Sequence, residues 1–193
     1  MSGRARKRLP WTYYESLGWG GKRVDEERAR SIVRRVGLDA ASDLGDTPLT
    51  VASVLGRVGM VRWLLEQGAD VEDVAPHRYF KPALCAAAYG KSPEVAALLI
   101  AAGANLEAPD RFGNTPLANA FINCFTDPLP LAALLIEHGA ELTDRVRELG
   151  ESWNAAAFHA FLAGVAKHSE PGAAADPAAG AVSRVDDAER PGR

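Results

Sequence analysis

A chain of 193 residues with 22 Lys/Arg against 25 Asp/Glu, net charge −3, has the size of one domain with little to spare. Its 47% hydrophobic content excludes wholesale disorder, and no apolar run approaches the ~18 residues of a bilayer-spanning helix. Two cysteines exclude a disulfide framework. The basic N-terminus leads into polar and aromatic residues instead of an apolar stretch, so no secretory signal is expected. The setting that follows is reducing and cytoplasmic, or nuclear if the source is eukaryotic.

In chain order, residues 1–9 read as a basic flexible N-terminus carrying Arg4-Ala5-Arg6-Lys7-Arg8, a run suited to solubility, nuclear import or contact with a polyanion. Residues 1–35 hold ten Lys/Arg and four acids, so a basic head precedes an acidic body. Residues 10–42 read as a degenerate N-terminal capping repeat. Pro10 opens a short helix ending near Gly18, and a second helix spans 25–36 before Gly37. Trp11, Tyr13, Tyr14 and Trp19 either cover the end of a helical stack or, beside the basic residues, stack on single-stranded nucleic acid. Gly18-Trp19-Gly20-Gly21-Lys22 imitates a phosphate loop, but Ser16 stands where that loop needs Gly and Arg23 where it needs Ser or Thr. A turn is the expectation.

Residues 43–142 contain a repeat. Thr47-Pro48-Leu49, Lys81-Pro82-Ala83 and Thr115-Pro116-Leu117 place their prolines 34 residues apart, and each precedes a short apolar helix. A second apolar helix follows and closes on Leu64-Leu65-Glu66-Gln67-Gly68-Ala69-Asp70, Leu98-Leu99-Ile100-Ala101-Ala102-Gly103-Ala104-Asn105, and Leu134-Leu135-Ile136-Glu137-His138-Gly139-Ala140-Glu141. Proline suits the first helical position, Thr47 and Thr115 suit the cap before it, and Gly68, Gly103 and Gly139 suit a left-handed helix end. One helix pair cannot bury its own apolar face, and stacked pairs can.

These residues resemble the ankyrin repeat. The resemblance implies an all-α solenoid of stacked helix-turn-helix pairs with short hairpin loops, three full repeats over 43–142. Residues 143–168 then read as C-terminal capping helices, and 169–193, rich in Ala, Pro and Gly, as a disordered tail. The family pattern reads Thr-Pro-Leu-His, its histidine joining a hydrogen-bond network. Thr50, Leu84 and Ala118 stand there when the repeats are aligned on their prolines, so that network is expected to be absent or altered. Lys81 replaces the capping Thr, and Lys81→Thr is expected to restore a cap. Phe125-Thr126-Asp127-Pro128-Leu129-Pro130 lengthens the third repeat, either as a plain connecting loop or as a bulge touching a partner.

Chemistry is not written in the chain. His77, His138, His159 and His168 have no metal-ligand spacing, and no nucleophile–base or dinucleotide fingerprint is present. His138 suits a helix C-terminus, and Cys85 and Cys124 read as small buried thiols of first helices. No enzyme activity, cofactor, metal, membrane or small-molecule substrate is expected, and nucleic acid is disfavoured. The resemblance instead implies a concave face made by loop tips and first helices, with Asp43, Leu44, Asp46, Val54, Leu55 and Ala88 among its variable positions. The candidate partner-binding residues are His77, Arg78, Phe80, Tyr89, Arg111, Phe112, Asn114, Ile122 and Asn123, with a monomer binding one other protein as an adaptor, inhibitor or accessory protein. The alternatives are a polyanion binder acting through the N-terminal segment and an accessory or immunity-type protein of a bacterial enzyme or toxin.

Overall fold

The computed structural model describes residues 6–74, 81–122 and 126–168, with side chains as far as 165. Arg4, His77, Arg78, Phe80, Asn123, Cys124, Phe125 and the 169–193 tail lie outside the described residues, as does the side chain of His168. The described helices are α1 (Trp11–Ser16), α2 (Glu26–Val36), α3 (Pro48–Val54), α4 (Val58–Glu66), α5 (Ala83–Tyr89), α6 (Pro93–Ala101), α7 (Pro116–Ile122), α8 (Leu129–Glu137) and α9 (Asp144–His168). Among the described residues there is no strand, only an isolated bridge between Arg8 and Ala41. The architecture is an all-α solenoid.

Local chemistry accounts for most helix ends. The Thr47 hydroxyl accepts the Thr50 N–H at 3.3 Å, and the Thr115 hydroxyl accepts that of Ala118 at 3.3 Å, each with proline at the first helical position. Asp25 caps α2 by accepting the Arg28 N–H at 2.9 Å. The far ends of α4, α6 and α8 close alike. Gly68, Gly103 and Gly139 sit at φ +84°, +88° and +98°, and the next residues, Ala69, Ala104 and Ala140, donate back to Leu64, Leu99 and Leu135 at 3.0 Å. Glycine meets no steric penalty in that left-handed turn.

The hairpins α3/α4, α5/α6 and α7/α8 stack so that α3, α5, α7 and α9 form one row, and α2, α4, α6 and α8 the other. In α5, Ala83 to Ala88 are all buried. Small side chains let α3 and α7 close on it from both sides. The approach is tightest at Gly90, where a Cβ would lie 2.3 Å from the Val54 carbonyl oxygen. Backbone stitches cross the stack: Glu72 accepts the Asn105 N–H at 2.9 Å, and Glu107 accepts the Glu141 N–H at 2.8 Å.

The second hairpin corrects the proline alignment. Its first helix starts at Ala83, so the three starts fall at 48, 83 and 116, and Pro82 is an extended cap (ψ 149°) without a capping side chain. The left-handed residue after the helix moves accordingly, from Gly56 (φ +64°) to Lys91 (φ +56°). Val54, Tyr89 and Ile122 are therefore equivalent, each the last residue of its helix. Cys85, not Leu84, takes the place of Thr50. Both reach the following repeat, the Thr50 hydroxyl donating to the Lys81 carbonyl at 3.5 Å and the Cys85 thiol to the Ala108 carbonyl at 3.2 Å. The side-chain link survives in altered form.

Both ends depart from simple hairpins. Helix α9 breaks at Asn154 (φ −165°, ψ 96°), whose side chain accepts the Ala157 N–H at 3.0 Å and caps the second half. That half folds back, bringing Phe158 against Gly150 and edge-on to Phe121 at 5.4 Å. At the other end, residues 6–9 are docked, contrary to the expected flexible 1–9. Leu9 is buried, its N–H donates to Ala41 at 2.8 Å, and Ala41 donates to the Lys7 carbonyl at 3.0 Å. In the 125–130 insertion, Leu129 and Pro130 already form the first turn of α8, and Asp127 accepts the Leu129 N–H at 2.9 Å.

Candidate protein-binding surface

Two kinds of position build the concave face: loop tips before α3 and α7, and the last residues of α3, α5 and α7. The tips hold Leu44 and Phe112, 52% and 68% exposed, and the helix ends hold half-buried Val54 with Tyr89 and Ile122 at 37% and 36% exposure. The Arg111 guanidinium lies 3.8 Å from the Phe112 ring centre, and the Lys81 ammonium lies 4.1 Å from that of Tyr89. Tyr89, Phe112, Ile122 and Lys81 share an open cleft of roughly 710 Å3, bounded on the α9 side by Arg145 and Trp153. Ala88 is fully buried, as its counterpart Ser53 is, and takes no part in this surface.

Asn114 is the least exposed of the candidate contact residues described. It is 7% exposed, and its backbone N–H donates to Asp110 at 3.0 Å. Asp110, also buried, accepts the Phe112 N–H at 2.8 Å and the Asn119 side-chain amide at 3.0 Å. A carboxylate taking several N–H donors holds the tip in shape, and Asn114, which also lines the cleft, supplies one of them. The sequence signal was the Asp-x-x-x-Asn spacing itself, since a short polar side chain readily closes such a turn.

Burial pulls the Lys81 ammonium below the ordinary lysine range, and Asp110 partly offsets that by attraction. Burial pushes the Cys85 thiol strongly upward, which leaves it protonated and unreactive at neutral pH. Among the described residues no group of three or more His, Cys, Asp or Glu could hold a metal ion, and no helix is long and apolar enough to cross a membrane. The His138 ring meets the Leu134 carbonyl at 2.8 Å, at the end of α8.

The basic N-terminal segment is engaged with its own fold. Arg6 grips Asp73 with both terminal nitrogens, at 2.8 and 2.5 Å. Arg8 pairs with Asp43, and Lys7 donates to the Arg35 carbonyl at 3.0 Å. Trp11 stacks on Tyr14 at 5.0 Å, and the buried Tyr14 donates its hydroxyl to Asp46 at 2.8 Å. Arg6 and Arg8 are thus each matched by a carboxylate of the same fold.

Stacked antiparallel helix pairs, Thr-Pro helix starts and Gly-Ala helix ends are the architecture of an ankyrin-repeat solenoid. Residues 44–75, the first full hairpin and the loop after it, match the ankyrin repeat family. Over 113 residues the chain is 34% identical to ankyrin repeat protein nuc-2 of Neurospora crassa, covering 58% of this chain and 10% of that one. It is 35% identical over 98 residues to the E3 ubiquitin-protein ligase Ufd4 of Drosophila melanogaster, covering 50% of this chain and 3% of that one. The chain thus spans a tenth or less of the curated relatives it matches. Ankyrin repeats are generally protein–protein interaction modules.

Proposed function

We propose that this protein is a non-enzymatic binding module, an adaptor, inhibitor or accessory protein, that holds a segment of another protein along its concave face as a cytoplasmic monomer. The observation that carries this reading is the clustering of exposed Tyr89, Phe112 and Ile122 around one cleft. Aromatic residues and arginine at the centre of a patch are the side chains that dominate protein interfaces. His77, Arg78, Phe80 and Asn123 belong to the same reading as candidate contacts by their places in the repeat pattern alone. In this reading the hairpins of 10–42 and 143–168 close the two ends of the stack, as terminal repeats must.

The test is affinity capture with the tagged chain, comparing wild type with a Tyr89→Ala/Phe112→Ala double variant whose helical circular dichroism is intact. Both side chains are exposed, so the fold should persist, and proteins captured by wild type should be lost from the variant. Undiminished capture would move the binding surface elsewhere.

A further inference from the structure

Lys81 stands out on the concave face. The equivalent places in the first and third hairpins hold Asp46, whose carboxylate accepts the Tyr14 hydroxyl, and Asn114, whose backbone N–H donates to Asp110. Lys81 is half-buried, lies against the Tyr89 ring at 4.1 Å, and has no carboxylate within ion-pair reach among the described residues. The neighbouring segments 75–80 and 123–125 contain no Asp or Glu. Asp110 faces the same cleft, but its two oxygens are occupied by the N–H groups of Phe112, Asn114 and Asn119. On the α9 wall Arg145 adds a second cation, which makes a loose 3.5 Å contact with exposed Glu148.

A partly desolvated cation that Asp110 only partly offsets, with no ion pair among the described residues, gains from an incoming carboxylate. Beside its polar lining of Asp110, Asn114, Asn119 and Ser152, the cleft offers an apolar and aromatic side that includes Tyr89, Ile122 and Trp153. A row of equivalent helix ends, Val54, Tyr89 and Ile122, suits an extended chain running along the repeats. Resting on the protein-binding reading above, we infer that the cleft takes an extended acidic peptide segment, with one Asp or Glu carboxylate against the Lys81 ammonium and Arg145, and a neighbouring apolar side chain on Tyr89, Ile122 and Trp153. The partner is therefore an acidic–apolar segment and not a basic one.

Fluorescence anisotropy tests this with the full chain and two labelled nonapeptides, one alternating glutamate with leucine, the other alternating glutamine with leucine. The glutamate peptide should bind about tenfold tighter, a difference of about 1.4 kcal/mol, and rising salt should shrink the ratio. Lys81→Met keeps the side-chain length and removes the charge. It should bring the ratio most of the way to one. Circular dichroism and the thermal midpoint establish that this variant is folded. Arg145→Gln, on an exposed side chain, supplies a second variant and should lower the ratio in part. Equal affinity of the two peptides for wild type, a ratio untouched by Lys81→Met, or no binding of either peptide would each overturn the inference. A concentration-dependent dimer in sedimentation that Lys81→Met abolishes would also overturn it, by making a second copy the occupant. The broader reading fails separately, when the Tyr89→Ala/Phe112→Ala variant still captures the wild-type partners.

Discussion

The first and second full hairpins share a motif and solve the same packing problem differently. In the first, Thr47 caps α3, Pro48 is the first helical residue, and Gly56 supplies the left-handed turn. In the second, Pro82 occupies the cap place, α5 begins one residue later, and Lys91 takes the left-handed conformation instead of glycine. Gly90 then has another task, clearing the Val54 carbonyl. Counted from their helix starts the two hairpins are equally long, 48 to 68 and 83 to 103, so the extra residue falls in the loop before α5, which takes in Pro82. The difference shows that equal spacing of a motif residue does not guarantee an equal structural job.

The largest test of this contrast lies at the two glycines. Gly90→Ala should destabilise by about 1–3 kcal/mol in urea denaturation, because the new methyl must push apart α3 and α5. Gly56→Ala meets only the Ser92 side chain at 3.5 Å and bears mainly the left-handed backbone penalty, about 1–2 kcal/mol. A loss at Gly56 clearly exceeding that at Gly90 would break the distinction.

Alkaline titration probes how the first hairpin meets the N-terminal one. Burial raises both Tyr13 and Tyr14, and the Tyr13 hydroxyl donates to the Pro48 carbonyl at 3.0 Å. Above the ordinary tyrosine value of about 10, the unfolded chain releases these protons while the folded chain retains them, so stability falls as pH rises. Each tyrosine contributes a slope of up to about 1.4 kcal/mol per pH unit. Tyr13→Phe should flatten the fall measured by denaturation from pH 9 to 11, and an unchanged slope would count against its burial.

The smallest effects concern caps. Thr47→Ala should cost about 1 kcal/mol through loss of the bond to the Thr50 N–H. Lys81→Thr, expected from the proline alignment to gain a similar amount, should instead change stability by less than about 0.5 kcal/mol, since residue 81 precedes the cap and its hydroxyl is misplaced for α5. A full gain in the thermal midpoint would mean that α5 can restart at Pro82 and that the two hairpins are equivalent after all.

Much of the fold was legible because its signals are local. Thr-Pro helix starts and Gly-Ala helix ends act within five residues, and the Asp25 cap and the end of α2 at Gly37 were readable for the same reason. The binding face was legible only in outline. Tyr89, Phe112 and Ile122 are exposed on it, whereas Asn114 turns inward because Asp110, four residues before it, needs donors. Arg6 to Leu9 read as a loose basic end, since Asp73 and Ala41, which hold it, lie 67 and 34 residues from Arg6 and Lys7.

By itself, the sequence determined the all-α class, the hairpin period and the left-handed glycine ends, because backbone preference and apolar periodicity are properties of short stretches. Tertiary structure alone decided the register of the second hairpin, the docking of the basic segment, and the placing of Lys81 against Tyr89. Those outcomes depend on which carbonyl, carboxylate or ring arrives from a distant part of the chain, and no local pattern encodes that arrival.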